Sequence, residues 1–173
     1  MFSYRHGFHA GNHADVLKHL VWVQLLAYMA RKDKPFWAID THAGAGVYDL
    51  HSGFAAQRGE YRSGIARLWQ AGDPPAAVAD LLREVRRLNP DGQLRHYPGS
   101  PQLALQMLRP GDRLRLFELH STEGRQLARH YEGQRQVQVE TLDGYAGLKA
   151  CLPPTPRRAV VLIDPPYEDK KDY

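Results

Sequence analysis

Apolar positions recur at helical spacing through residues 11–31. Val16, Leu17, Leu20, Val21, Val23 and Leu25 form a stripe behind Asn12, a residue suited to capping, so an ordinary buried helix face is expected there. The pattern then switches to short apolar runs. Residues 35–40, "PFWAID", read as a strand running into the glycine-rich turn 41–46, "THAGAG". Residues 47–98 carry two helix-patterned segments, "GEYRSGIARLWQ" and "DPPAAVADLLREVRRLN", and no strand signal, which predicts a helical insertion. Alternation resumes with Ser100-Pro101, read as an N-cap and a first-turn proline opening a helix to about Leu108. Strands follow at 113–120, ending at Glu118, at 137–144, ending at Asp143, and at 158–167. Helices fill 121–131 and 144–151 between them. Strands alternating with helices predict an α/β fold, a doubly wound parallel sheet with strands buried on both faces.

Composition narrows this further. A chain of 173 residues, 43% hydrophobic and 24% charged, suits one domain able to bury its own core. A single cysteine, Cys151, excludes an intrachain disulfide and fits a reducing cytoplasm. No secretory-type leader and no apolar run of spanning length is present, so no membrane partner is expected. Net charge is +4 with nine histidines in addition. This permits a polyanionic partner without requiring one.

The chemistry concentrates at one edge. Ligands of open parallel sheets bind at the carboxyl ends of the strands, and here each strand delivers an acid there: Asp40, Glu118, Asp143 and Asp164. Gly44 and Gly46 allow the backbone to approach a ligand closely. Glu118 is placed to accept two ribose hydroxyls, although an acid opening a helix is also favoured by the dipole. A loop of small residues, a ribose acid and no phosphate-gripping lysine suit a nucleoside without pyrophosphate, S-adenosylmethionine being the obvious one. At the end of the last strand stands "DPPY". Asp164 and the Pro165 carbonyl offer two acceptors on a rigid turn, which is what an exocyclic amine conjugated to a ring needs if its lone pair is to be drawn out. Tyr167 can stack on that ring, worth roughly 1–3 kcal/mol. His9 and His13 have the spacing of a zinc helix, but no glutamate or cysteine completes the set, so no metal is expected.

An Asp-Pro-Pro-aromatic turn after an aliphatic strand resembles the catalytic motif of amino-methyltransferases acting on adenine N6. Together, "SYRHGFHAGNHADVLKH", "DTHAGAG", "YPGSP" and "LIDPPYE" resemble the bacterial 23S ribosomal RNA adenine-N6 methyltransferase family, which acts on adenine 2030. The resemblance runs along essentially the whole chain. It implies a Rossmann-like methyltransferase sheet with an inserted helical subdomain, matching the strandless stretch 47–98. It also implies a cofactor site lined by His19, His42, Ser100, Glu118, Asp143, Gly144 and Asp164, with Asp164 also accepting from the adenine N6 and Tyr4 touching RNA. The residues themselves leave Ser100 open to the plainer reading of a helix cap. A methyltransferase sheet continues for further strands beyond the fourth, so 1–173 is expected to be the N-terminal part of one domain, with the C-terminal strands absent from the chain and the fourth strand an exposed edge.

The expected reaction is methyl transfer from S-adenosylmethionine to an adenine of 23S ribosomal RNA, protein-free or early in assembly, by a cytoplasmic monomer. Tyr4 and Arg5 sit among aromatics and donors in the N-terminal tail, a composition suited to unpaired bases and phosphate. The same chemistry on duplex DNA, and an inactive RNA-binding module of the same fold, are the alternatives.

Overall fold

The computed structural model describes residues 6–166. A single 3-10 turn (His6–Phe8) leads into α1 (His13–Ala30), followed by β1 (Trp37–Asp40). The insertion contains β2 (Val47–Asp49), α2 (Gly53–Arg58), a second 3-10 turn (Glu60–Ser63), α3 (Ile65–Trp69), α4 (Ala76–Arg87) and β3 (His96–Pro98). Then come α5 (Ser100–Met107), β4 (Arg113–Phe117), α6 (Ser121–His130), β5 (Val137–Glu140), α7 (Gly144–Cys151) and β6 (Ala159–Leu162).

Four strands pair in parallel in the order β5-β4-β1-β6. β1 lies inside the sheet, with Asp40 level with Leu116 on one side and Leu162 on the other. Ala38, Leu114, Leu116, Val139 and Leu162 turn one sheet face towards Trp22, Val23 and Leu26 of α1 and Leu103 and Ala104 of α5, in one apolar cluster. On the opposite face α7 approaches so closely that a Cβ on Gly147 would collide with the Phe117 ring. Helices on both faces make the sheet doubly wound, as the alternation predicts. β6 is an edge strand of this sheet, its side chains half-buried.

The helix of residues 13–30 begins where Asn12 predicts: its side chain accepts from the Asp15 N–H at 2.8 Å. The buried face differs from the expected stripe. Val16, Trp22, Val23 and Leu26 face inward with Asp15 and His19, whereas Leu17, Val21, Leu25 and Tyr28 are exposed. A helix apolar on most of its circumference gives periodicity too little contrast to choose a face.

The insertion is not strandless. Val47–Asp49 and His96–Pro98 pair antiparallel and clasp its two ends together. Strands of three residues carry no readable alternation. The segment expected as one helix, "GEYRSGIARLWQ", breaks at Gly64, where a Cβ would collide with the Gly11 carbonyl, and Ile65 donates to that same carbonyl at 2.9 Å. The close approach of the α1 entry overrides local helix propensity.

Three boundaries also move. Gly99, not Ser100, occupies the N-cap of α5; Ser100 and Pro101 are in its first turn and no side chain caps it. β4 ends at Phe117, one residue before Glu118. β5 ends at Glu140, so Asp143 is not a strand end but the N-cap of α7, accepting from Ala146 N at 2.8 Å.

Candidate active site

β1 leaves the core at Asp40, and everything of chemical interest gathers round the turn that follows. Thr41 N donates to the Leu162 carbonyl at 3.1 Å, which fixes the turn against the end of β6. Ala43 N donates to the Phe117 carbonyl at 3.0 Å, which fixes it against β4. Gly44 and Gly46 both have positive φ, at 62° and 85°. A Cβ on Gly44 would run into the Tyr48 hydroxyl, and one on Gly46 would meet the Tyr131 hydroxyl at 2.9 Å. These two positions need glycine for conformation and for space alike.

Glu118 grips this loop. Its Oε2 accepts from Gly44 N at 2.8 Å and its Oε1 from His120 N at 2.7 Å. Each oxygen keeps a second lone pair for a ligand hydroxyl. Opposite, a Cβ on Gly144 would collide with the Thr41 carbonyl, so glycine lets the start of α7 and its cap Asp143 close on the β1 turn. His42 Nδ1 lies 2.8 Å from Thr41 Oγ1, and its ring meets the edge of Tyr145 at 5.5 Å.

Asp40 closes β1 but had no place among the site residues expected from sequence. It is fully buried. Its Oδ1 accepts from His42 N at 3.1 Å, and it bonds the Ser100 hydroxyl, yet its Oδ2 has no partner. Burial pushes its carboxyl above the usual range, against the Ser100 and His42 hydrogen bonds. The signal was present in the sequence as an acid closing a strand before a glycine turn. Ser100 is thus tied to the site through Asp40 instead of capping a helix.

The Asp164-Pro165 turn is reached from α1. Asp164 Oδ2 accepts from Lys18 Nζ at 2.8 Å, and the same ammonium lies 2.8 Å from Asp15 Oδ1. Asp15 is buried and further receives His6 Nε2 at 3.0 Å and Gly11 N at 2.9 Å. Burial alone would raise its carboxyl; His19, His6 and Lys18 outweigh that and hold it well below the usual carboxylate range. The same two carboxylates overcome the desolvation of Lys18 and raise its ammonium above its ordinary value. His19, fully buried, shares a hydrogen bond between Nδ1 and the Tyr97 hydroxyl at 2.9 Å; desolvation pushes its ring down to about 3, so it is neutral. The sequence points to Asp164 by its motif and to His19 through the family resemblance; the structure adds Lys18 and Asp15, which join them. Their spacing, 15, 18 and 19 on one helix, is the signal that could have found them.

The structure therefore brings together His19, His42, Gly44, Gly46, Ser100, Glu118, Asp143, Gly144, Asp164 and Pro165 at one edge. Tyr4, Arg5 and Tyr167 lie outside the described residues. An open cavity of about 480 Å³ on the opposite sheet face, lined by Trp37, Arg115, Phe117 and Cys151 among others, contains none of the site residues. Among the described residues no group of histidine, cysteine and acids could hold a metal ion, and no helix is long and apolar enough to cross a membrane.

The profile of the family described as ribosomal RNA large subunit methyltransferase D, RlmJ, matches residues 33–173. The chain belongs to this family. It is 51% identical over 173 residues to ribosomal RNA large subunit methyltransferase J of Escherichia coli strain K12, covering 100% of this chain and 62% of that protein. It is 46% identical over 174 residues to the protein of the same name from Haemophilus influenzae, with the same coverage. The chain thus spans 62% of the length of these curated relatives. A crystal structure of a Legionella pneumophila protein superposes with a TM-score of 0.87 at 40% identity, over 95% of this chain and 60% of that one. The family assignment accounts for the Rossmann-like architecture expected from the motifs.

Proposed function

We propose that this protein transfers a methyl group from S-adenosylmethionine to the N6 amine of an adenine in 23S ribosomal RNA, with this chain supplying the cofactor edge and the catalytic turn. The observation that carries the reading is that the end of β6 leading to Asp164 and Pro165 is bonded to the turn after β1, with Asp164 held by Lys18. Membership of a ribosomal RNA methyltransferase family supports RNA over DNA and over an inactive module.

The residues fit the donor. A cationic, phosphate-free nucleoside suits an edge with four acids, one of them carrying a buried unpartnered oxygen at Asp40, and a loop where Cβ atoms would block close approach. Glu118 and Asp143 would take its hydroxyl and amine donors, His42 and Gly144 would flank it, and Ser100 would be oriented by Asp40. S-adenosylmethionine, when bound, would supply an electrophilic methyl and would leave as a neutral thioether that keeps the electron pair of the broken sulfur–methyl bond. The chain does the rest.

Lys18 occupies Asp164 Oδ2 and leaves Oδ1 without a hydrogen-bond partner among the described residues. That oxygen and the Pro165 carbonyl accept the two N–H groups of the adenine amine, which draws the nitrogen lone pair out of conjugation. As the new N–C bond forms, positive charge develops on N6, and the Asp164 carboxylate stabilises it and receives the departing proton for passage to solvent. An ammonium on the far oxygen makes Asp164 a better hydrogen-bond acceptor than a lasting proton store. Tyr167 would stack on the base. Tyr4 and Arg5 would hold the RNA strand, protein-free or early in assembly, because bases not yet paired are cheaper to extrude. The protein would act as a monomer in the cytoplasm.

The test is transfer of a labelled methyl group by the full-length protein to protein-free 23S RNA, to the assembled subunit and to duplex DNA. RNA as the preferred acceptor is expected; transfer to DNA alone would sink the reading. In the same assay Asp164→Ala should lose about 10²–10⁴-fold in rate, with cofactor binding weakened but measurable. Asp164→Asn should retain more.

A further inference from the structure

The insertion carries two populations of arginine. On α4 and just beyond it, Arg83 pairs with Asp80, Arg87 with Glu84 and Arg95 with Asp91. Those charges are neutralised in place. Arg86, exposed on the same helix, lies instead over the Trp69 ring at 5.4 Å, and the arginines of α2 and the following 3-10 turn are likewise laid on rings. Arg58 lies over the Phe8 ring, 4.9 Å from its centroid, and reaches its nearest carboxylate, Glu60, only at 3.7 Å. Glu60 is itself engaged by His9 at 2.9 Å and Asn12 at 3.0 Å. Arg62 lies over Tyr61 at 5.9 Å and pairs with no carboxylate among the described residues. Both arginines are exposed.

Aromatic rings are interleaved with them. Phe8 packs on Phe54 with centroids 4.8 Å apart, and His51 faces Tyr61 at 6.4 Å. Guanidinium planes laid on aromatic rings form a platform on which bases can stack while the charges meet phosphates. The location matters as much as the composition. The 3-10 turn that ends in Phe8 begins at His6, whose Nε2 bonds Asp15, and Asp15 shares Lys18 with the catalytic Asp164. Two residues of 3-10 helix rise only about 4 Å, so Phe8 stands one short turn from the residue that bonds Asp15.

We propose that this ledge of Phe8, Phe54, Arg58, Tyr61 and Arg62 docks the single-stranded RNA flanking the target adenine. The inference rests on the RNA-methylation reading above and assigns to the insertion a task that reading leaves open. The ledge engages phosphates through Arg58 and Arg62 and bases through the stacked rings, while Arg83 and Arg87, held by their acids, remain spectators.

The experiment measures binding of full-length protein to protein-free 23S RNA across a salt series, alongside cofactor affinity by calorimetry and methyl transfer. Replacing both arginines (Arg58→Ala with Arg62→Ala) should weaken RNA binding by roughly tenfold or more. It should also flatten the dependence of log affinity on log salt by about 1.4, at about 0.7 per phosphate contact on a single strand. Arg83→Ala with Arg87→Ala should change neither. RNA binding by the first pair that matches wild type at every salt concentration overturns the docking surface, even with methyl transfer intact. Arginine-dependent RNA binding without any methyl transfer by the wild type leaves the docking surface standing and removes the functional reading instead. If cofactor affinity falls together with RNA affinity in the alanine pair, the insertion has been disturbed. Arg58→Lys with Arg62→Lys then decides: a recovered slope supports the ledge, and a slope still lost overturns it.

Discussion

The carboxyl edge of the sheet and the outer face of the insertion use the same residue types to opposite ends. At the edge, Asp15, Lys18 and Asp164 are joined at 2.8 Å with Asp15 almost wholly withdrawn from solvent, its side chain 2% exposed. On α4, Arg83 meets Asp80 with its side chain 62% exposed. The first arrangement fixes a geometry, because the Asp15 carboxylate sits where water cannot replace the partner it shares with Asp164. The second is screened by water and salt and fixes little. Rigidity in this molecule is built where the methyl is proposed to move, and the insertion is left to present charge.

The largest effect that could break this comparison is on stability. Asp15→Ala takes the shared acid from Lys18 and His6 and leaves the ammonium with Asp164, at 2.8 Å, as its one carboxylate partner among the described residues. Loss of about 3 kcal/mol is expected, the lower part of the range for breaking a buried pair. Urea unfolding of the variant measures it. A midpoint unchanged from wild type would mean the edge is no more consolidated than the surface of α4.

The next effect is on cofactor affinity. Glu118→Ala removes both the proposed ligand acceptor and the clamp on Gly44 N, so binding of S-adenosylmethionine should weaken by about 1.5–3 kcal/mol, the scale of a hydrogen bond to a charged group. Calorimetry on folded protein that shows no change removes Glu118 from the site.

How much of this was legible in the sequence follows the same division. The parallel sheet could be read because its strands are apolar runs set between helices, and the glycine turn and Asp-Pro-Pro are local signals whose meaning survives without tertiary information. The insertion could not be read in detail: β2 and β3 are too short to alternate, and the break at Gly64 comes from the carbonyl of Gly11, remote in sequence. Asp143 looked like the end of a strand because apolar residues continue to Leu142, whereas pairing with β4 stops at Glu140. The ion pair between Lys18 of α1 and Asp164 of the last turn spans 146 residues, and no window along the chain displays it.

A third effect sharpens the comparison through pH. His19 is held neutral to about 3 in the folded state, against an ordinary value of 6.5. Below 6.5 the unfolded chain therefore takes up a proton that the folded chain refuses, so this contribution is present above pH 6.5 and is lost as pH falls towards 3. Between pH 7.5 and 5.5 the loss should be about 1 kcal/mol. Asp15, held below its ordinary value, adds a loss in the same direction only below about pH 4. Urea midpoints at pH 7.5 and 5.5 should separate in wild type and converge in His19→Gln. An equal separation in both would assign the titration to other histidines.

The smallest effect is on the insertion side. Arg83→Ala removes an exposed ion pair whose acid, Asp80, keeps Gln24 as a donor at 2.9 Å. No charge is stranded, because water reaches the freed carboxylate, and the long arginine side chain regains its rotamer freedom. The change in unfolding free energy should stay under about 0.5 kcal/mol and should shrink further as salt is raised. The measurement is the urea midpoint at low and at high ionic strength, set beside Asp15→Ala under the same conditions. A loss for Arg83→Ala comparable to that of Asp15→Ala, and insensitive to salt, would show α4 to be consolidated by its surface charges and would erase the distinction between the two regions.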